Sequence, residues 1–208
     1  GLRRRIRMRR ENVIVAHESV IAPHIVGILS EQFRLQVHAG DEARDVIRRA
    51  AEQPGLAESW VVAPDGLSWE FALREGVTFH DGTPFTAEDV VFSFERALAD
   101  DSTNAQKALF DGISSVNVID DTSVEIALDA PKATLLSNLA WGDAAIVSPA
   151  SADGNKTHPV GTGPFEFSNW VQGDRIELVR NPDYWGEPAK LDKVTFKIYQ
   201  DSDSAYND

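Results

Sequence analysis

Gly161-Thr162-Gly163, set between prolines in "HPVGTGPFEF" (158–167), is the stretch whose residue types first suggest chemistry. Glycines around a hydroxyl can cradle a phosphate, yet a Walker loop needs G-x-x-x-x-G-K-[ST] and a dinucleotide fingerprint needs G-x-G-x-x-G ahead of a helix. This stretch has neither spacing, and the alternating "FEFSNWV" after it predicts a strand, which offers no helix N-terminus to an anion. Two readings remain open. The glycines make a tight entry into a strand, or they let the backbone come close to a ligand or another lobe.

The other chemistry-bearing types give less. The five histidines, His17, His24, His38, His80 and His158, have no metal-ligand spacing and lack H-E-x-x-H. The acidic pairs Asp100-Asp101 and Asp120-Asp121 fall in turns, where Asp bonds its own backbone. No serine lies in G-x-S-x-G, so the nucleophile elbow of a hydrolase is absent. With no cysteine, disulfides, Cys-based zinc sites and thiol nucleophiles are excluded.

The elements that must position these residues are legible from residue 55 onward. "ESWVVA" reads as a strand and "PDG" (64–66) as a turn, with Pro fixing φ and Gly supplying a positive φ. In "LSWEFAL", Leu67, Trp69, Phe71 and Leu73 alternate with Ser68, Glu70 and Ala72, the pattern of a half-buried strand. "TAEDVVFSFERAL" starts a helix with Thr86 as N-cap and Asp89 in a capping box, and Val90, Phe94, Ala97 and Leu98 share one face. "SVNVI" and "SVEIAL" make a hairpin around Asp120-Asp121, Pro131 opens a second helix, and "AAIVS" is a short buried strand. "PFEFSNWV" and "RIELVRN" form another hairpin, and "KVTFKIY" is a final strand. This order predicts a mixed α/β fold rich in antiparallel pairs. Residues 1–54 are less regular. "GDEARDVIRRAAEQPG" reads as a helix stopped by Pro54-Gly55, whereas "VIVAHESVIAPHIVGIL" keeps no clean period.

The chain has 208 residues, 42% of them hydrophobic, enough for one large or two small domains. Its net charge of −13 argues against a general nucleic-acid binder. The charge is uneven: residues 1–54 carry +3 and residues 55–208 carry −16. No run of about 18 apolar residues is present to cross a membrane. "GLRRRIRMRR" has the charge of a signal-peptide n-region, but the residues after it are broken by Glu11, His17, Glu18, Pro23 and His24, so no signal peptide is read in this chain.

Several phrases act jointly. "LAESW", "FHDGTPFTAEDV", "GTGPF", "RNPDYWG" and "LDKVTFKI" occur in an order and spacing that resembles the extracellular solute-binding proteins of peptide and nickel ABC importers, family 5. The resemblance covers residues 55–208 and implies part of a type II periplasmic-binding-protein fold. Three segments are expected: an atypical stretch over 1–54, a peripheral subdomain of the first lobe over 55–160, and the start of the first-lobe sheet over 161–208, with the second lobe outside this chain. Only "APH" (22–24) echoes the family in the first of these.

The resemblance also implies that the GTGP turn returns the chain toward the inter-lobe cleft, which makes Gly161, Thr162 and Gly163 candidate ligand-side residues. It places the segment before "IVSP" toward the cleft too, so Trp141, Gly142 and Asp143 are candidates: Trp141 to pack on a peptide side chain, Asp143 to attract an amine. The competing reading of Trp141 is a core aromatic. Gln106 and Phe110 are further candidates on the same ground. The function implied is solute binding, of oligopeptides or similar ligands, for delivery to a membrane permease. It comes with no enzymatic activity, no cofactor or metal, no nucleic acid, a monomeric state and a periplasmic or cell-surface location. The rival is a ligand-sensing domain of a transcriptional regulator with a basic head at Arg3–Arg10, although residues 1–54 lack the two clear helices such a head needs.

Overall fold

A computed structural model describes residues 13–17, 55–140 and 144–199. Two four-stranded sheets organise them. The helix expected at 41–53 lies outside the described residues.

The first strand in the chain, β1 (Val13–His17), belongs to the second sheet, and the hairpin of β2 (Ala57–Val62) and β3 (Ser68–Leu73) opens the first. The turn between β2 and β3 closes as Gly66 N–H donates to Ala63 O at 2.8 Å and Leu67 N–H to Asp65 Oδ1 at 3.0 Å. Gly66 has φ +72°, and a Cβ there would stand 3.2 Å from Pro131 Cβ. Gly66→Ala is therefore expected to cost about 1–2 kcal/mol from the left-handed backbone alone. A denaturant midpoint equal to that of the parent protein would contradict this.

The chain then runs through helix α1 (Ala87–Leu98) into the hairpin of β4 (Ile113–Asp120) and β5 (Ser123–Leu128), and β5 pairs with β3. The strand order is β2-β3-β5-β4. Alternation places Phe71 and Leu73 of β3 and Val124, Ile126 and Leu128 of β5 on one buried face. Val90 and Phe94 of α1, Val77, Phe79 and Phe85 join them in a single core, with Ala97 and Leu98 packed at its margin. Leu67, in the turn ahead of β3, is exposed and Trp69 only half-buried, so the alternating face reaches the core at its second half. The helix starts as its sequence predicts: Asp89 Oδ2 accepts from Thr86 N–H at 2.7 Å and Thr86 Oγ1 at 3.1 Å.

Two elements differ from expectation. The helix after Pro131 is short, α2 (Leu135–Leu139), because the residues before it are drawn elsewhere. Lys132 Nζ reaches Leu109 O at 3.0 Å and Asp111 O at 2.6 Å. Ala144 and residues 146–148 are buried but form no strand. The Ser93 hydroxyl on α1 takes the place of a neighbouring strand, accepting from Val147 N–H at 2.9 Å and lying 3.2 Å from Val147 O and 2.6 Å from Asp89 O.

The second sheet has the order β1-β8-β7-β6. β6 (Phe165–Val171) and β7 (Arg175–Arg180) form a hairpin, and β8 (Lys193–Tyr199) pairs antiparallel with β7. β1 lies parallel to β8, with Val13 opposite Thr195 and His17 opposite Tyr199. The irregular apolar stretch near the start of the sequence thus supplies the outermost strand of this sheet among the described residues. Ile176, Leu178, Val194, Phe196 and Ile198 form the buried face.

On the other face Glu177 joins three strands. Its carboxylate meets Lys193 Nζ at 2.6 Å, Asn169 Nδ2 at 3.1 Å and Arg175 Nε at 3.5 Å. The hydrogen bond from Lys193, then that from Asn169, holds the Glu177 carboxyl down to about 2. Lys193→Met is expected to raise that value toward the ordinary carboxylate range in a side-chain NMR titration; an unmoved titration would show that Lys193 is not the main cause. No described helix is long and apolar enough to cross a membrane.

Candidate ligand-side segments

The 160–164 turn is built from residues far from it in sequence. A small hairpin holds His80 at its end: Thr78 bridges to Pro84, Gly82 N–H donates to Phe79 O at 2.8 Å, and Asp81 Oδ1 accepts from Thr83 N–H at 3.0 Å and Thr83 Oγ1 at 2.6 Å. From there His80 N–H donates to Gly161 O at 2.8 Å. Gly161 N–H donates to His80 Nδ1 at 3.2 Å, so the ring proton sits on Nε2, which is 2.9 Å from Gly163 O and donates to it. Burial lowers the His80 pKa, outweighing the bond to Gly163 and the nearby Asp81 charge, which raise it.

From the other side, buried Asn181 donates Nδ2–H to Gly163 O at 3.0 Å and its N–H to Pro164 O at 3.0 Å. Asn155 Oδ1 accepts from Val160 N–H at 3.0 Å. Gly161, Thr162 and Gly163 are all buried. The Thr162 hydroxyl has no hydrogen-bond partner among the described residues. With β6 starting at Phe165, the turn leads into a strand, and the Gly161 N–H that a phosphate would use is committed to His80.

A second clasp joins the link after β7 to the first sheet. The Arg74 guanidinium lies 4.3 Å from the Trp185 ring centroid, while Nη1 pairs with Glu58 at 2.8 Å and Nε donates to Gly55 O at 3.2 Å. Gly186 keeps this corner tight: a Cβ there would fall 2.7 Å from the Tyr184 ring.

Trp141, Gly142 and Asp143 lie outside the described residues. Immediately after them, Ala144, Ala145 and Ile146 line a small recess with Ser93, Phe94, Ala97 and Phe110. Phe110 is wholly buried, edge-on to Phe94 with ring centroids 5.7 Å apart. Gln106 is exposed, its N–H bonded to Asn104 Oδ1 at 2.9 Å. The structure therefore brings Phe110 to the segment following the Trp141–Asp143 candidates, and the 161–163 turn to His80 and Asn181. Among the described residues no group of three or more His, Asp or Glu side chains is placed to hold a metal.

Sequence reasoning weighed His80 only as a metal ligand and passed over Asn181 and Ser93. His80 stands in "FHDGTPF" and Asn181 in "RNPDYW", both within the phrases that carry the resemblance, but their shared partner Gly163 lies 83 residues from His80.

This two-sheet, antiparallel-rich arrangement is that of a type II periplasmic-binding-protein fold, present in part. It resembles AgaA, a PBP of A. tumefaciens R10 solved with agropinic acid, at a TM-score of 0.70 and 33% identity over 74% of this chain and 32% of that one. The profile of the family described as bacterial extracellular solute-binding proteins, family 5 middle, matches residues 52–208, and the chain belongs to this family. Its curated relatives include the glutathione-binding protein GsiB of Escherichia coli O1:K1 / APEC, 38% identical over 155 residues, 72% of this chain and 30% of the relative. The dipeptide-binding protein of Escherichia coli strain K12 is 34% identical over 184 residues, 74% of this chain and 34% of the relative. The chain spans about a third of the length of these relatives.

Proposed function

We propose that this chain is the first-lobe portion of a two-lobed solute-binding protein that delivers an oligopeptide or similar small solute to an ABC permease, working as a monomer outside the cytoplasmic membrane. The observation that carries this reading is the family match over 52–208, supported by similarity to relatives named for binding glutathione and dipeptides. Residues 55–160 act as the peripheral subdomain and 161–208 as the start of the lobe's sheet, with 1–54 joining through its strand at Val13–His17. Trp141, Gly142 and Asp143, the turn Gly161, Thr162 and Gly163, and Gln106 with Phe110 form or support the ligand-facing side. The protein binds and releases its ligand unchanged, without catalysis, cofactor or nucleic acid. Two lobes closing on one solute shift a population by contacts to both, and a peptide's backbone can be met by protein backbone with broad side-chain tolerance.

Calorimetry tests this on two proteins, the 208-residue chain and a longer product of the same reading frame that adds the second lobe. Glutathione and alanyl-alanine are the probes. The chain alone is expected to bind weakly or not detectably, since it offers half a cleft, and the two-lobed protein to bind at least one probe. Sub-micromolar binding by the chain alone would overturn the half-cleft reading. Salt-dependent retention on DNA, with no peptide binding by the longer protein, would favour the regulator.

A further inference from the structure

We propose that His80 is the positioning residue of the 161–163 turn and makes both of its ring bonds to it only as a neutral imidazole, so that acid releases the Gly161 amide from the ring. The part of this that concerns ligand rests on the proposed function, which places the turn on the ligand-facing side. The release itself does not.

The geometry makes the dependence on protonation state specific. One ring nitrogen must accept, from Gly161 N–H, while the other donates, to Gly163 O. Only the neutral ring does both. An imidazolium carries a proton on each nitrogen, so Nδ1–H would point at Gly161 N–H, and one bond becomes a donor–donor clash. The turn cannot swing to a substitute partner easily, because Gly163 O is also fixed by Asn181 and Gly161 O by His80 N–H.

The charges around the ring decide how acid the medium must be. Asp81, next in the chain, favours the imidazolium, and the turn and Asn181 bring no charge. Burial is the larger influence, so the folded-state pKa lies below the ordinary 6.5. The sign follows from linkage. The unfolded chain takes up the proton more readily than the folded one, so the contribution of His80 to stability is complete above about 6.5 and is lost as pH falls from there through the folded-state pKa. His80 thus holds the Gly161 amide near neutrality and gives it up in acid.

Amide hydrogen exchange on the full 208-residue chain tests this, with the rate at Gly161 divided by its intrinsic rate at each pH. In the wild-type chain the protection factor of Gly161 is expected to fall at least tenfold between pH 7.5 and pH 5, while amides of the β3–β5 ladder keep theirs. His80→Gln, which accepts and donates without titrating, should show a flat profile, and His158→Gln, at an exposed position, should match wild type. His80→Ala should leave Gly161 poorly protected at every pH. Protection at Gly161 that does not change with pH in wild type, or that falls equally in His80→Gln, would overturn the proposal. So would full protection in His80→Ala. Because no ligand enters the measurement, these outcomes stand apart from the calorimetric test of function.

Discussion

Phe110→Ala is expected to lower the unfolding free energy by about 3–5 kcal/mol, the range for removing a buried Phe ring. The ring is wholly enclosed and meets Phe94 edge-on at 82°. Its surroundings have little freedom to close over the void. Leu109 O, on the preceding residue, accepts from Asn138 Nδ2 at 2.7 Å and Lys132 Nζ at 3.0 Å, and Lys107 Nζ bonds Ala99 O at 2.7 Å. A segment pinned on both sides keeps its cavity, which puts the cost in the upper part of the range. Since whole-domain stability is of order 5–15 kcal/mol, the variant is best measured beside Phe110→Leu, which retains much of the volume and should lose clearly less. Denaturant midpoints should fall while the slopes stay constant. A loss below about 1 kcal/mol for the alanine variant would show that the side chain is not part of the core.

Ser93→Ala should cost about 1–3 kcal/mol, although it removes a single oxygen. That oxygen accepts from the Val147 N–H, its one proton faces Asp89 O at 2.6 Å with Val147 O further off at 3.2 Å, and it is itself buried on α1. Removing it leaves the Val147 N–H enclosed with no substitute strand to bond, and an unmade buried bond costs more than a made one contributes. Ser93→Thr is the control, since it keeps the hydroxyl. Thermal unfolding should rank wild type above Ser93→Ala, with the early loss of protection centred on the Val147 amide. Equal stability of Ser93→Ala and wild type would mean that residues 144–148 find their partners elsewhere.

What the sequence disclosed was what local chemistry decides. The alternation of β3 and β5, the Asp89 box at Thr86 and the Asp120-Asp121 turn each depend on neighbours within a few residues, and each formed. "AAIVS" misled because its apolar burial is real but its hydrogen bonds go to a serine 54 residues away. Pro131 marked a helix start that Lys132, reaching back to Leu109 and Asp111, delayed by a turn. "VIVAH" gave no clean period, and only its partner β8 identifies it as a strand. The candidate site divided along the same line. That a strand follows 161–163 was legible from the alternation after it, while the imidazole and the amide that fix the turn were scattered over two distant phrases.

The parallel pairing of β1 with β8 has a consequence for the order in which the protein is made. Synthesis runs from the N-terminus, so "VIVAH" leaves the ribosome long before residues 193–199 exist. The β2–β5 sheet with α1 joins segments between residues 57 and 128 and can close early. β1 must wait for its pairing with β8 until nearly the last described residue has emerged. Nascent chains in this interval are the ones at risk of mispairing. A stall placed just ahead of β8 should therefore give products that chaperones retain more than those of a stall placed just after it.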